Sequence, residues 1–277
     1  MIALLTDLGA CLDSNDKLND NVYIIQQKTF LKDDTHVENN LTTEEFYEII
    51  SKEGPGTTAA PSISDYINTF DQIEKSGFKK VVIAVMSEKI SSTYSNAVIA
   101  SNEYEGNLEF LIYKTNGVVS AEQAYFIDFI NNDYKTLEEV KENFDKIHTK
   151  LIFTLDNINA LKKGGRISPA QAIAASLLGI KPIIYLNDGK LELYDKVRSF
   201  TKAIDRMIDY VTTDVDQEKV FATAIISQGS DLQEKILENF SSKFTQISDI
   251  KIIEEIEPAV GNHTGSPLIG ISVSWKD

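Results

Sequence analysis

Short apolar runs and amphipathic stretches take turns along almost the whole chain, and that alternation restricts its fold more than any other feature. IALLTD (2–7), KVVIAVM (80–86) and LEFLIY (108–113) are brief and apolar, as buried strands are. Between the first two, TTEEFYEIISK (42–52) opens like a capping box and spaces Phe46, Ile49 and Ile50 as a helix would. SISDYINTFDQIEKSG (62–77) places Tyr66, Ile67, Phe70 and Ile73 on one helical face and stops at Gly77. SNAVIASNEY (95–104), SAEQAYFIDFINND (120–133) and TLEEVKENFDKIHT (136–149) are predicted helices as well. Such an order predicts a mostly parallel sheet with helices on its faces.

The second half begins with strand KLIFTL (150–155) and a helix, SPAQAIAASLLG (168–179), that has Pro near its start and Gly at its end. KPIIYLNDGKLELY (181–194) predicts a hairpin turning at Asn187-Asp188-Gly189. Helices over 201–213 and 230–244 flank strand VFATAIIS (220–227), and strands over 249–256 and 269–275 follow. The hairpin makes this half mixed rather than parallel. With 277 residues, two domains are expected: an N-terminal α/β domain over 1–150 and a C-terminal α/β domain over 151–277.

Composition removes several function classes. The 42 acidic residues outnumber the 27 basic ones, for a formal net charge of -15, which argues against a nucleic-acid grip. Cys11 is the single cysteine, so neither an intrachain disulfide nor a cysteine-based zinc site is expected. His36, His148 and His263 are scattered, and no metal site is expected from them. The opening MIALLTDLGA lacks a basic segment, and no apolar run is long enough to cross a bilayer. These features predict a cytoplasmic protein with no integral membrane segment. Neither a glycine-rich dinucleotide fingerprint, nor a Walker loop, nor a GxSxG elbow is found.

Ligands of open α/β sheets bind beyond the carboxyl ends of the strands, so the polar loops there hold the candidates. Thr6 and Asp7 end the first strand, and GTTAAPS (56–62) precedes a helix. SEKISSTYSNA (87–97) sets Ser91, Ser92 and Thr93 ahead of the next helix, where hydroxyls and free N–H groups serve equally as an anion cup or as plain N-caps. PAVGNHTGSP (258–267) holds His263 between Gly261 and Gly265 in a turn-rich loop, suited to an anion contact, to a base or to a solvated surface role. LKKGGRISP (161–169) is basic within an acidic chain and presents Arg166 from a tight turn.

Taken in order, TD after the first strand, TTAAPS, SEKISSTYSNA, L-x-x-G-G-R-I-S (161–168), G-I-K-P-I (179–183), K-V-R (196–198) and GNHTGSP resemble the DegV family over nearly the whole length. The resemblance implies a two-domain α/β fold that encloses one long-chain fatty acid in an apolar pocket, with its carboxylate near the domain cleft. It also implies service as the fatty-acid-binding subunit of a bacterial fatty acid kinase, whose separate ATP-dependent subunit makes the acyl phosphate; no cofactor is implied for this chain. By motif, Thr58, Ser91 and His263 hold the carboxylate, Ser92, Thr93, Thr264 and Gly265 support them, and Arg166 and Arg198 face the cleft or the partner. Residues 173–185 are candidates for the acyl pocket and, equally, for ordinary core.

The chain departs from the family pattern in several places. Leu8 replaces a serine, Ala59 and Ala60 replace polar residues, Glu88 and Ser92 replace a serine and a glycine, and YKTNG (113–117) replaces a strand ending in Asp-Ser. A carboxylate at Glu88 would repel an acidic ligand if it faced the site. Two other functions therefore stand beside the first: a lipid carrier or sensor without phosphotransfer, and a hydrolase using Ser91 with His263, for which no orienting acid is evident.

Overall fold

Strand β1 (Ile2–Asp7) is buried at every position, because the sheet it joins is covered on both faces. The computed structural model describes residues 1–7, 19–37, 41–156, 158–175, 179–247 and 249–277. They form two units, the first comprising 1–28, 59–147 and 277, the second 29–58 and 148–276. A single boundary near residue 150 thus gives way to crossings after residues 28, 58 and 147, and residues 29–58 group with the C-terminal half.

In the first unit β2 (Val22–Ile25), β1, β5 (Lys80–Val85) and β6 (Glu109–Lys114) lie side by side in that order, all parallel. Helices α2 (Ile63–Lys75) and α3 (Thr93–Glu103) seat Tyr66, Phe70, Ile73, Ala97 and Ala100 against Ala3, Leu5, Val81 and Ile83. Helices α4 (Ser120–Asn131) and α5 (Leu137–Phe144) also pack on the sheet. Helix α4 is buried nearly all round, from Ala121 to Phe129, which is why no single apolar stripe marks it.

The second unit opens with a pair of three-residue strands, β3 (Lys28–Phe30) and β4 (Thr57–Ala59), and α1 (Thr43–Glu53) lies between them in sequence. Its main sheet has the order β11 (Lys251–Ile253), β10 (Val220–Gln228), β12 (Leu268–Lys276), β7 (Ile147–Leu155), β8 (Lys181–Asn187) and β9 (Lys190–Val197). It is mixed, since β10 runs parallel to β11 and antiparallel to β12, and β8 is antiparallel to both neighbours. The β8–β9 hairpin turns at Asp188 (φ 46°) and Gly189 (φ 75°), as the Asn-Asp-Gly sequence predicts. Helices α8 (Phe200–Thr212) and α9 (Gln233–Lys243) supply Ile204, Met207, Ile208, Ile236 and Phe240 to a core shared with Ile152, Ile183, Ile225 and Ile271.

Three expectations change. The helix expected over 136–149 ends at Phe144, because Ile147–Thr149 pair into β7, and the strand expected over 249–256 shrinks to three residues. The histidine loop is a helix, α10 (Pro258–Thr264), while two short helices, α6 (Asn159–Lys163) and α7 (Pro169–Ala175), surround the GGRIS turn.

Candidate functional site

The site in the second unit is built around α10. Pro258 starts the helix, where a missing N–H costs nothing, and Gly265 (φ 71°) ends it with its N–H on Gly261 O at 2.7 Å. His263 therefore stands on a rigid element rather than in a loop. Its Nε2 lies 2.7 Å from Thr58 Oγ1, so two residues expected to act together are hydrogen-bonded across 205 positions of sequence. One residue earlier, the buried Asn262 accepts the Gly56 N–H through Oδ1 at 2.8 Å. Tyr47 of α1 donates to Ile256 O at 3.3 Å, just before α10 begins. Segment 29–58 thus fastens both the approach to α10 and its last turn.

Arg166 leaves the turn after α6. Gly165 (φ 73°) occupies the left-handed position that ends a helix, with its N–H on Lys162 O and the Arg166 N–H on Leu161 O, both at 3.1 Å. The half-buried Arg166 folds back to donate to Gly164 O at 2.5 Å, and desolvation holds its pKa below the ordinary arginine value. Burial, and then the charge of Arg166, lower the His263 pKa to about 4. At neutral pH the imidazole is uncharged, a donor at one nitrogen and an acceptor at the other.

Thr264 and Gly265 serve α10 itself: the Thr264 hydroxyl is 3.3 Å from Val260 O, and Gly265 caps. Arg198 is exposed just beyond β9 and makes no hydrogen bond or ion pair with a described residue. His36 is engaged with Phe30, and His148 stacks on Trp275. Sequence reasoning missed Asn262, Gly56 and Gly164; an asparagine directly before the histidine was the one visible sign.

Ser91, Ser92 and Thr93 belong to the first unit. Ser91 Oγ is 2.8 Å from Thr93 Oγ1 and accepts the Thr93 N–H at 3.3 Å, while the exposed Ser92 makes no side-chain capping bond at α3. Thr93 is buried, and its carbonyl accepts the Tyr66 hydroxyl at 3.1 Å. Asp7, fully buried at the end of β1, accepts from Gln27 Nε2 at 3.0 Å and from the Met86 N–H at 3.2 Å. Glu88 pairs with Lys114 at 2.7 Å, so its charge is compensated locally. In YKTNG, the Thr115 hydroxyl donates to Val85 O and accepts the Gly117 N–H, which makes it part of the framework.

Leu8 and Cys11 lie outside the described residues, as do residues 176–178 of the stretch expected to line an acyl pocket; Ile183 of that stretch sits in the core. Among the described residues no group of three His, Cys, Asp or Glu is placed to hold a metal, and no helix is long and apolar enough to cross a membrane.

A parallel four-stranded sheet in one unit and a mixed six-stranded sheet in the other, with a neutral histidine on a short helix of the latter, define a two-unit α/β protein. The DegV family, described as uncharacterised, matches residues 1–276, and the chain belongs to it. A DegV domain-containing protein of Clostridium acetobutylicum is 30% identical over 282 residues, covering 98% of this chain and 96% of the relative. The crystal structure of DegV from Bacillus subtilis, a fatty acid binding protein, superposes with a TM-score of 0.82 at 25% identity and covers 99% of both chains. A stearic acid-binding protein from Eubacterium ventriosum has the same fold, with a TM-score of 0.88 at 20% identity over 100% of this chain and 99% of its own.

Proposed function

We propose that this chain binds a long-chain fatty acid and that Thr58, backed by His263 and Arg166, receives the carboxylate. The hydrogen bond between Thr58 Oγ1 and a neutral His263 carries this reading. If His263 Nε2 donates to Thr58 Oγ1, the threonine hydroxyl keeps its own proton for a ligand oxygen. A carboxylate leaving water needs such donors, and charge-assisted hydrogen bonds are the strong ones. Arg166 supplies positive charge near the imidazole and offsets part of the cost of burying an anion. The acyl chain supplies most of the affinity, at about 0.8 kcal/mol per buried methylene. Relatives of the same fold described as binding fatty acids support the ligand class.

Ser91 is a second proposed donor to the ligand. The loaded protein is then proposed to present the carboxylate to a separate ATP-dependent kinase subunit for acyl phosphate formation, with the exposed Arg198 as a contact for that partner. The hydrolase alternative is less well supported: His263 Nε2 is engaged with Thr58, its Nδ1 bonds no described carboxylate, and Ser91 is engaged with Thr93. Mass spectrometry of an organic extract of the purified protein tests the ligand, with one long-chain acid per chain expected and a polar metabolite overturning the reading. Adding ATP and the kinase subunit to loaded protein tests phosphotransfer. Failure to form acyl phosphate there would leave a carrier or sensor.

A further inference from the structure

We infer that Gly164 is a positioning residue, a side-chain-free wall that holds the His263 imidazole against Thr58. The two glycines of GGRIS have different causes. Gly165 is required by its backbone, at φ 73°. Gly164 is not: its φ of -71° and ψ of -12° are ordinary right-handed values, where alanine is intrinsically better than glycine. What excludes a side chain at Gly164 is the ring itself. A Cβ there would fall 2.3 Å from His263 Nδ1 and 3.2 Å from Cε1. The ring has little room to yield, because Thr58 holds Nε2 at 2.7 Å and Asn262 ties the same turn of α10 to Gly56. A methyl at 164 must therefore turn the imidazole away from Thr58, and the threonine hydroxyl loses the partner that fixes its proton. Thr58 touches the ligand, His263 acts through Thr58, and Gly164 acts through His263; the inference rests on the ligand site proposed above.

Gly164→Ala in the full-length chain tests this, with palmitate binding to delipidated protein and the imidazole resonances of His263 as separate readouts. Palmitate affinity should fall about tenfold, and the His263 resonances should move, with their titration shifting up toward the ordinary histidine range as the ring gains water. Gly165→Ala is the control for simple loss of stability: it strains the turn, but its Cβ meets nothing within 4 Å, so the His263 titration should not move. Should Gly164→Ala fold poorly, the same change in a His263→Ala background settles the matter. There the methyl has space, and the Tm drop of several degrees expected beside the imidazole should largely vanish. An equal Tm drop in both backgrounds, or unmoved His263 resonances in Gly164→Ala, would overturn the inference. Wild-type protein that fails to bind palmitate would overturn the ligand reading alone, since the resonances and the Tm coupling need no ligand.

Discussion

His263 gives up its charge because burial strips water from an imidazolium and because Arg166 is close enough to oppose it. Its pKa of about 4 in the folded protein lies below the ordinary 6.5, so between those values the unfolded chain binds more protons than the folded one. Stability therefore rises with pH through that window, is complete above the ordinary value, and is lost progressively as pH falls toward about 4. The full loss is on the order of 3 kcal/mol. His263→Gln should remove this part of the pH dependence, read as the difference in urea midpoint between variant and wild type at matched pH values; parallel curves would show that His263 carries none of it. Glu88 makes the opposite kind of prediction. Its pairing with Lys114 satisfies the charge, so Glu88→Gln should leave palmitate affinity within about twofold, whereas marked tightening would show that Glu88 does repel the ligand. The family resemblance pointed to Thr58 and His263 in the sequence, and His263 also stood out between two glycines after a predicted strand. The role of Gly164 was not legible there, because its reason lies in a ring 99 positions away in the chain (164 to 263).

A local capping box marks a helix start in the sequence, whereas the proline and glycines that bound α10 read equally as turn residues. Thr42 with Glu45, Ser62 with Asp65 and Thr136 with Glu139 all form complete capping boxes, each within four residues of chain. Helix α10 has no such signature. Its glycines suggest a loop, and Tyr47, Gly56 and Thr58, all within residues 29–58, hydrogen-bond to Ile256, Asn262 and His263. Asn262→Ala tests how far α10 depends on them. It leaves the Gly56 N–H without its acceptor, at a cost of about 1–3 kcal/mol, and it loosens the turn that carries His263. Urea unfolding should show the loss of stability, and palmitate binding should weaken with it. A variant that loses stability but binds normally would show that α10 keeps its place without the Gly56 contact.

At the scale of the whole molecule, the alternation of strands and helices was enough to predict a parallel sheet in one part and a mixed sheet in the other. It was not enough to divide the chain, since each strand or helix looks the same locally whichever unit it joins. Residues 29–58 illustrate this: they lie in sequence between the first unit's strands β2 and β5, yet they fold with residues 148–276. The consequence is physical. A fragment cut at the expected boundary lacks Tyr47, Gly56 and Thr58, the partners of Ile256, Asn262 and His263. Its main sheet keeps the core formed by α8 and α9, because every residue of that core lies beyond position 148. Residues 148–276 made alone should therefore retain strand and helix signal in circular dichroism while limited proteolysis cuts quickly within 256–265. Joining residues 29–58 to that fragment through a flexible linker should slow this cleavage at least several-fold, because local opening must then break the restored contacts. Equal cleavage with and without the segment would mean that α10 is held by the C-terminal residues alone.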